Sequence, residues 1–239
     1  MKILKKDLKE VYKQSSVKDG LSEGFFNVFI FRKISIYFSW VFASFDISPN
    51  KITFFSFIMN LGAAYWFFLG GYPNNVLGLV FYFFASILDM SDGEVARLTN
   101  RKSKFGAFLD PFLDRVSDVI LVGAIIHGYY LVSSQGSLLI YLYVVFLIIT
   151  YLSLYIDNKV NGEGNNSTVN NLRRITKFIS NIDLRKYIKW DRGFSCALIA
   201  CLVVFNKLFL FVLILLLKDL FLFIFTFKGL ASQLRRGYK

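Results

Sequence analysis

Three long apolar runs constrain this chain more than any other feature of its sequence. Residues 52–88 and 193–206 carry no charged side chain, and residues 116–156 carry only Asp118. A hydrocarbon core about 30 Å thick is crossed by roughly 20 predominantly apolar residues in a helix. The composition agrees, because 55% of the 239 residues are apolar and the mean hydropathy is +0.51. The chain is therefore predicted to be an integral membrane protein that crosses the bilayer several times.

The order of apolar and polar segments predicts an all-α polytopic membrane protein with six transmembrane helices preceded by an interfacial amphipathic helix. Residues 24–45 are apolar but contain Arg32 and Lys33, which is typical of a helix lying in the membrane interface. Pro49 disfavours helix at the residue before it and so separates this segment from the first span. The predicted spans are residues 50–70, 75–98, 105–131, 137–158, 192–205 and 208–227. One long tilted helix is the alternative to the last two spans, because only a short polar interruption separates them.

Basic residues are concentrated on one side of this predicted topology. The chain has 28 Lys and Arg against 16 Asp and Glu, a formal net charge of +12. Both termini and the loops at 99–104 and 159–191 hold most of these cations, so the positive-inside rule places them in the cytoplasm. Because the cations flank apolar segments, they indicate contact with anionic membrane lipids, and we expect no nucleic-acid partner.

Five aspartates lie where two predicted spans meet the short loop at 99–104. On a helix with 3.6 residues per turn, Asp89 and Asp92 share a face with Gly93 and Ala96. Residues spaced by four on one face of the next helix are Gly106, Asp110, Asp114 and Asp118. Because a short loop joins the two helices, we expect antiparallel neighbours whose carboxylates converge near the cytoplasmic boundary.

Such a cluster of carboxylates needs a compensating cation. A single aspartate at the bilayer centre costs about 2.5–3.5 kcal/mol, and like charges at short range oppose each other's ionisation. Lys and Arg are too few on these two helix faces to balance the cluster, and we expect Arg97 and Arg115 alone to lie nearby. Oxygen ligands without His or Cys favour Mg²⁺ or Mn²⁺ over zinc. Four carboxylates suit two such ions, which together bind a phosphoryl substrate well.

The residues alone leave two other interpretations open. Gly93 and Ala96 also suit close packing of helices, without any ligand. The acidic cluster also suits the ion site of a cation transporter. A transporter would place polar groups along a path through the membrane, whereas these carboxylates crowd one boundary.

The same residues resemble the signature of the CDP-alcohol phosphotransferase (CDP-alcohol phosphatidyltransferase) family of membrane phospholipid-synthesis enzymes. Asn50 and Thr53, which open the first span, are similar to a further element of that family. The matching string is Asp89-x₂-Asp92-Gly93-x₂-Ala96-Arg97-x₈-Gly106-x₃-Asp110-x₃-Asp114. The resemblance implies that residues 47–228 form a six-helix CDP-alcohol phosphotransferase domain containing the cytoplasmic loop. A cytoplasmic tail with the interfacial helix (1–46) precedes it, and a cytoplasmic basic tail (229–239) follows it.

The resemblance also implies roles for the motif residues. Asp114 would be the general base that takes the proton of the acceptor hydroxyl. The metal ligands would be Asp89, Asp92, Asp110 and Asp114. The nucleotide-binding residues would be Asn50, Thr53, Gly93, Ala96, Arg97 and Gly106. Candidates for binding a phosphorylated acceptor are Arg115, Lys159, Arg173, Arg174 and Arg192. For those in the loop, attraction to anionic lipid is the alternative.

The implied reaction transfers a phosphoalcohol group, of the phosphatidyl type, from a CDP-alcohol to a hydroxyl acceptor and releases CMP, as in phospholipid head-group synthesis. The alternative is a transferase that uses a CDP-polar head group, such as CDP-inositol, with a lipid or inositol phosphate acceptor. Residues 18–35 loosely resemble the branch of the family that handles inositol phosphate and CDP-inositol. The family further implies a homodimer, and we expect the membrane to be a prokaryotic plasma membrane. The motif defines neither the two alcohols nor a role for Asp118.

Overall fold

The computed structural model describes residues 26–133, 141, 143–149, 151 and 192–237. Within these ranges the chain consists of helices joined by short turns and contains no strand, which confirms the all-α prediction for this part of the chain. A short π-helical segment at Asn27–Phe31 leads into the first α-helix. The α-helices are α1 (Arg32–Ser44), α2 (Pro49–Leu69), α3 (Tyr72–Leu98), α4 (Lys104–Ser133), α5 (Arg192–Val204) and α6 (Phe209–Gly237).

Among the described residues, the helices α2, α3 and α4 are long and apolar enough to cross a membrane, with 21, 27 and 30 residues. They correspond to the first three predicted spans. Helix α5 is apolar but has only 13 residues. A turn in which Asn206 has φ +53° separates it from α6. Two helices, and not one long tilted helix, therefore occupy residues 192–227.

Several predictions fall wholly or partly outside the described residues. These are most of the span 137–158, the whole loop 159–191, and residues 1–25 of the predicted N-terminal segment. Helix α6 continues through most of the predicted tail at 229–239. The proposed domain boundaries therefore stay predictions.

Helices α2 and α4 run parallel and contact each other near both ends. At one end, a Cβ on Gly106 would lie 2.8 Å from Oδ1 of Asn50. At the other end, a Cβ on Gly70 would collide with the carbonyl group of Gly128. Gly70 also has φ +66°, a conformation that costs glycine little. The two backbones approach closely there because neither position carries a side chain.

Helix α1 packs along the end of α3 that carries the carboxylates. The two basic residues that led us to predict an interfacial helix differ in their surroundings. Lys33 is exposed, whereas Arg32 is only 5% exposed and lies against α3. Part of the polar side of α1 is thus buried against α3 and does not face the membrane interface.

One apolar core joins α2 to α6. Its fully buried members include Phe67, Ile87, Val122, Ile199 and Val212, one from each of these five helices. Because this core holds α5 against α3, the first residue of α5 is brought to the carboxylate end of α3.

Candidate active site

Three carboxylates meet where α3 ends and α4 begins. Asp89 and Asp92 lie on the last three turns of α3, and Asp110 lies on the second turn of α4. One carboxylate oxygen from each lies within 4.8 Å of the others. The structure therefore brings together three residues that the helical spacing placed on facing sides. We call these three residues the acidic centre.

Asp92 is held from α2. It is 7% exposed, and Oγ1 of Thr53 donates a hydrogen bond to its Oδ2 at 2.5 Å. The same hydroxyl lies 3.2 Å from the carbonyl oxygen of Pro49. A hydroxyl has a single hydrogen to donate, and a carboxylate is a stronger acceptor than a carbonyl group. Thr53 therefore fixes the orientation of Asp92.

Arg192, the first residue of α5, lies against two acidic residues. Its Nη1 is 2.8 Å from Oδ1 of Asp89, and its Nη2 donates to Oδ1 of Asp114. The expectation that Arg97 and Arg115 are the only basic neighbours is therefore wrong. Arg192 is 78 residues from Asp114 in the chain, so helical spacing within one segment gives no sign of this contact.

Asp114 lies outside the acidic centre, although it shares a face of α4 with Asp110. Its side chain is 38% exposed. Asp118, one turn further on, is within electrostatic reach of Arg192 and Lys218. Asp114 is thus accessible to a second reactant, while its role as a base stays a prediction.

The acidic centre has the donor set of a hard divalent cation. Its oxygens span no more than 4.8 Å, and oxygens on opposite sides of a bound Mg²⁺ are about 4.2 Å apart. Repulsion between three carboxylates in so small a space makes a bound cation favourable. The described group contains neither His nor Cys, which disfavours zinc.

A cleft of about 230 Å³ opens beside the acidic centre, between the first turns of α2 and α4 and the last turns of α3. Asp92 and Asp110 form part of its wall, so the cleft and the acidic centre are continuous. All the residues that the sequence assigned to nucleotide binding line it: Asn50, Thr53, Gly93, Ala96, Arg97 and Gly106.

Glycines keep this cleft open. A Cβ on Gly106 would lie 2.8 Å from Asn50 and 3.1 Å from Oγ of Ser103, to which the Gly106 amide donates at 2.9 Å. A Cβ on Gly93 would lie 3.3 Å from Nη1 of Arg97. Both glycines border the cleft, and Gly106 also serves the close packing of α2 and α4.

The residues predicted to bind the acceptor differ in their positions in the structure. Arg192 lies in the site, whereas Arg115 is exposed on α4. Lys159, Arg173 and Arg174 lie outside the described residues.

A second carboxylate buried in α3 was not predicted from the sequence. Glu94 is 0% exposed and accepts hydrogen bonds from Ser35 and Ser39 of α1. Two residues along a helix amount to a rotation of about 200°, so Glu94 points away from Asp92. An acidic residue at the end of an apolar helix was visible in the sequence, but nothing identified the two serines as its partners.

The fold and the site define an integral membrane protein with an acidic centre and a small cleft at one end of its helices. The chain belongs to the CDP-alcohol phosphatidyltransferase family, which matches residues 46–188, more than half of its length.

Curated relatives of the chain are named as synthases and transferases. Archaetidylinositol phosphate synthase of Pyrococcus horikoshii is 41% identical over 87 residues, which are 36% of this chain and 45% of that protein. The bifunctional IPC transferase and DIPP synthase of Archaeoglobus fulgidus is 34% identical over 111 residues, 46% of this chain and 22% of that protein. Phosphatidylinositol phosphate synthase of Corynebacterium glutamicum is 38% identical over 79 residues, 33% of this chain and 35% of that protein. The chain thus spans less than half the length of these relatives.

Proposed function

We propose that this protein transfers a phosphoalcohol group from a CDP-alcohol to a hydroxyl acceptor and releases CMP. The observation that carries the proposal is the continuity of the acidic centre with the cleft, since Asp92 and Asp110 belong to both. A diphosphate in the cleft can approach these carboxylates only with cations between them. Membership of the family supports the transferase over the cation transporter.

In this proposal the cleft binds the CDP part of the donor. Gly93, Ala96 and Gly106 leave room for the nucleotide to approach the helix backbones. Arg97 donates paired hydrogen bonds to a phosphate, for which a planar guanidinium is well shaped. Asn50 lines the cleft where α2 begins.

The acidic centre would hold two Mg²⁺ or Mn²⁺ ions together with Asp114. When bound, such ions neutralise the diphosphate and stabilise the charge that develops on the leaving CMP. The side chains of this chain supply the orientation: Thr53 fixes one oxygen of Asp92, and Arg192 contacts one oxygen of Asp89.

Asp114 would accept the proton of the acceptor hydroxyl. The acceptor oxygen forms a bond to the β-phosphorus of the donor while the bond from that phosphorus to the bridging oxygen breaks. CMP leaves with the bridging oxygen, and the proton stays on Asp114. The contact with Arg192 orients the Asp114 carboxylate for this transfer.

A phosphorylated polyol such as inositol phosphate is the acceptor that we favour. Arg192 places a guanidinium beside the proposed base, where an anionic acceptor would be attracted. Two relatives carry inositol phosphate in their names, and a phosphatidyl-type donor is the corresponding CDP-alcohol.

The second candidate is a CDP-polar head group donor, such as CDP-inositol, with a lipid or inositol phosphate acceptor. Similarity to the bifunctional IPC transferase and DIPP synthase supports it.

The proposal includes a setting for the reaction. We propose six spans, with α1 near the membrane interface and with both termini and the active site facing the cytoplasm of a prokaryotic plasma membrane. The bias of Lys and Arg supports this orientation, and relatives in archaea and bacteria support the prokaryotic source. On the family resemblance, we further propose a homodimer.

An assay of CMP release by the purified protein tests this function. Donors are a CDP-lipid and CDP-inositol, and acceptors are inositol phosphate, glycerol phosphate, inositol and a lipid alcohol, each with Mg²⁺, Mn²⁺ or EDTA. We expect release from the CDP-lipid with inositol phosphate, abolished by EDTA. Release that requires CDP-inositol selects the second candidate, and no metal-dependent release from any pair overturns the proposal.

A further inference from the structure

The face of α3 opposite to the acidic centre forms a buried polar contact with α1. Glu94 accepts hydrogen bonds from Ser39 at 2.6 Å and from Ser35 at 3.0 Å, one on each carboxylate oxygen. Nε of Arg32 lies 3.8 Å from the same carboxylate. Ser91 of α3 lies beside this contact: its hydroxyl donates to the carbonyl oxygen of Ile87 in its own helix at 2.8 Å and lies 3.3 Å from the carbonyl oxygen of Ser35. We call Arg32, Ser35, Ser39, Ser91 and Glu94 the Glu94 seam.

Because the Glu94 seam is buried, its formation costs free energy unless every hydrogen bond of Glu94 is made. Glu94, Ser35, Ser39 and Ser91 are each 0% exposed, and an unpaired carboxylate in such a place costs several kcal/mol. The two serines lie one helical turn apart on α1. Both carboxylate oxygens of Glu94 therefore receive hydrogen bonds only when α1 and α3 have one position along, and one rotation about, their axes. The seam therefore fixes the rotation of α3 about its own axis.

That rotation determines where Asp89 and Asp92 point. Glu94 follows Asp92 by two residues on the same rigid helix, and Asp110 approaches from a different helix. A ligand set for Mg²⁺ tolerates little deviation from its preferred geometry. A turn of α3 by a few degrees would thus change the distances within the acidic centre.

The N-terminal segment contacts a second part of the site as well. Asn27 lies so close to Gly193 that a Cβ there would overlap its side chain. The rings of Phe26 and Phe194 are 6.2 Å apart. Both contacts involve the two residues that directly follow Arg192. The N-terminal segment that positions α3 therefore also packs against the start of α5.

We propose that the Glu94 seam is a positioning site, through which the N-terminal helix sets the geometry of the acidic centre and thereby its affinity for divalent cations. This inference rests on the proposed function, because it assigns a cation to the acidic centre. Glu94 acts through the helix that it shares with Asp89 and Asp92, and touches no reactant.

The test measures Mn²⁺ binding to purified protein by electron paramagnetic resonance, which counts free ions and needs no turnover. Two variants are compared with the wild type: Glu94→Gln, and the double variant Ser35→Ala/Ser39→Ala, which leaves the charge of the site unchanged. Ser44→Ala is the matched control, because that serine also lies on α1 but bonds to Trp40 of its own helix at 2.6 Å. Ser39→Ala alone is the milder variant if the double variant does not fold.

We expect both seam variants to bind Mn²⁺ about tenfold more weakly, the equivalent of about 1.4 kcal/mol, and Ser44→Ala to match the wild type. The Mg²⁺ concentration for half-maximal CMP release should rise by the same factor, with kcat at saturating Mg²⁺ within about twofold of the wild type.

Three results would overturn the inference. A lowered melting temperature with unchanged Mn²⁺ affinity would show a purely structural seam. Weaker binding by Glu94→Gln alone would show a long-range effect of charge, and not positioning. Wild-type protein that binds no Mn²⁺ would overturn both the inference and the proposed function. The first two results would overturn the inference alone, so the two kinds of failure can be told apart.

Discussion

Thr53 and Asp92 are joined by a short hydrogen bond between two helices, with Oγ1 of the threonine 2.5 Å from Oδ2 of the aspartate. Thr53→Val keeps the shape of the side chain and removes this donor. A hydrogen bond to a charged group contributes about 1.5–3 kcal/mol, so we expect divalent-cation affinity to fall by about tenfold or more. Calorimetric titration with Mn²⁺ measures the change, and Thr53→Ser, which retains the hydroxyl, serves as control. Equal affinity in the valine variant would contradict this role.

Asp114 and Asp92 are expected to fail in different ways. Asp114→Asn should abolish CMP release and leave binding of the CDP-alcohol largely intact, because it removes the base and disturbs the bound cations less than loss of an aspartate of the acidic centre would. Asp92→Asn should lose metal-dependent nucleotide binding, because it removes a carboxylate from the centre itself. Calorimetry with and without Mg²⁺ separates the two defects. Undiminished turnover by Asp114→Asn would refute its assignment as the base.

Gly106→Ala should weaken binding of the nucleotide. The added methyl group would lie 2.8 Å from Asn50 and 3.1 Å from Ser103, both of which line the cleft. We expect the KM for the CDP-alcohol to rise by about tenfold, the equivalent of about 1.4 kcal/mol. Gly123→Ala, on the same helix but next to the ring of Tyr143, is the control. A KM shift of equal size in the control would point to general disruption of α4.

Arg192→Gln should raise the affinity of the site for Mn²⁺ and lower its affinity for a phosphorylated acceptor. Loss of the guanidinium removes a positive charge from beside Asp89 and Asp114, so Mn²⁺ should bind severalfold more tightly. The KM for a phosphorylated acceptor should rise by about tenfold or more, because charged hydrogen bonds contribute about 1.5–3 kcal/mol. An unphosphorylated acceptor serves as the comparison. Parallel loss of Mn²⁺ binding and acceptor binding would assign Arg192 a structural role only.

Gly128→Ala should lower stability without altering the chemistry. A Cβ there would overlap the carbonyl group of Phe67, which belongs to a helix backbone and cannot rotate away. Overpacking of this kind costs about 1–3 kcal/mol. We expect a lower thermal midpoint in detergent, with unchanged CMP release per folded molecule at low temperature. Gly123→Ala should cost less, because the side chain of Tyr143 can move.

Helical spacing and motif predicted most of the acidic centre and the cleft, because these depend on residues close together in sequence. Asp89, Asp92 and Asp110 converge because a loop of a few residues turns α3 back along α4. The contacts of Arg192 depend instead on how α5 packs in the apolar core, and many apolar residues satisfy that packing equally well. The number of membrane spans was likewise predicted from composition, and three of them correspond to apolar helices among the described residues.

The Glu94 seam was missed for a related reason. Ser35 and Ser39 are one turn apart on a helix otherwise rich in aromatic and aliphatic residues. Serine in such a place is compatible with an exposed or a buried position, and its hydroxyl can bond to its own helix, as Ser44 does. Only the position of Glu94 on a neighbouring helix decides between these outcomes.

In the proposed membrane topology, the two glycine contacts between α2 and α4 also determine the expected depth of the site in the bilayer. Between Asn50 and Gly70, α2 rises by about 30 Å at about 1.5 Å per residue, which is the thickness of the hydrocarbon core. Measured from Gly106, Asp110 then lies about 6 Å and Asp114 about 12 Å along α4. In that topology we expect the proposed base to lie below the level of the lipid headgroups. A polar acceptor would then have to enter the membrane to reach it, whereas a lipid-linked reactant would reach it while its hydrocarbon chains stay among those of the surrounding lipids.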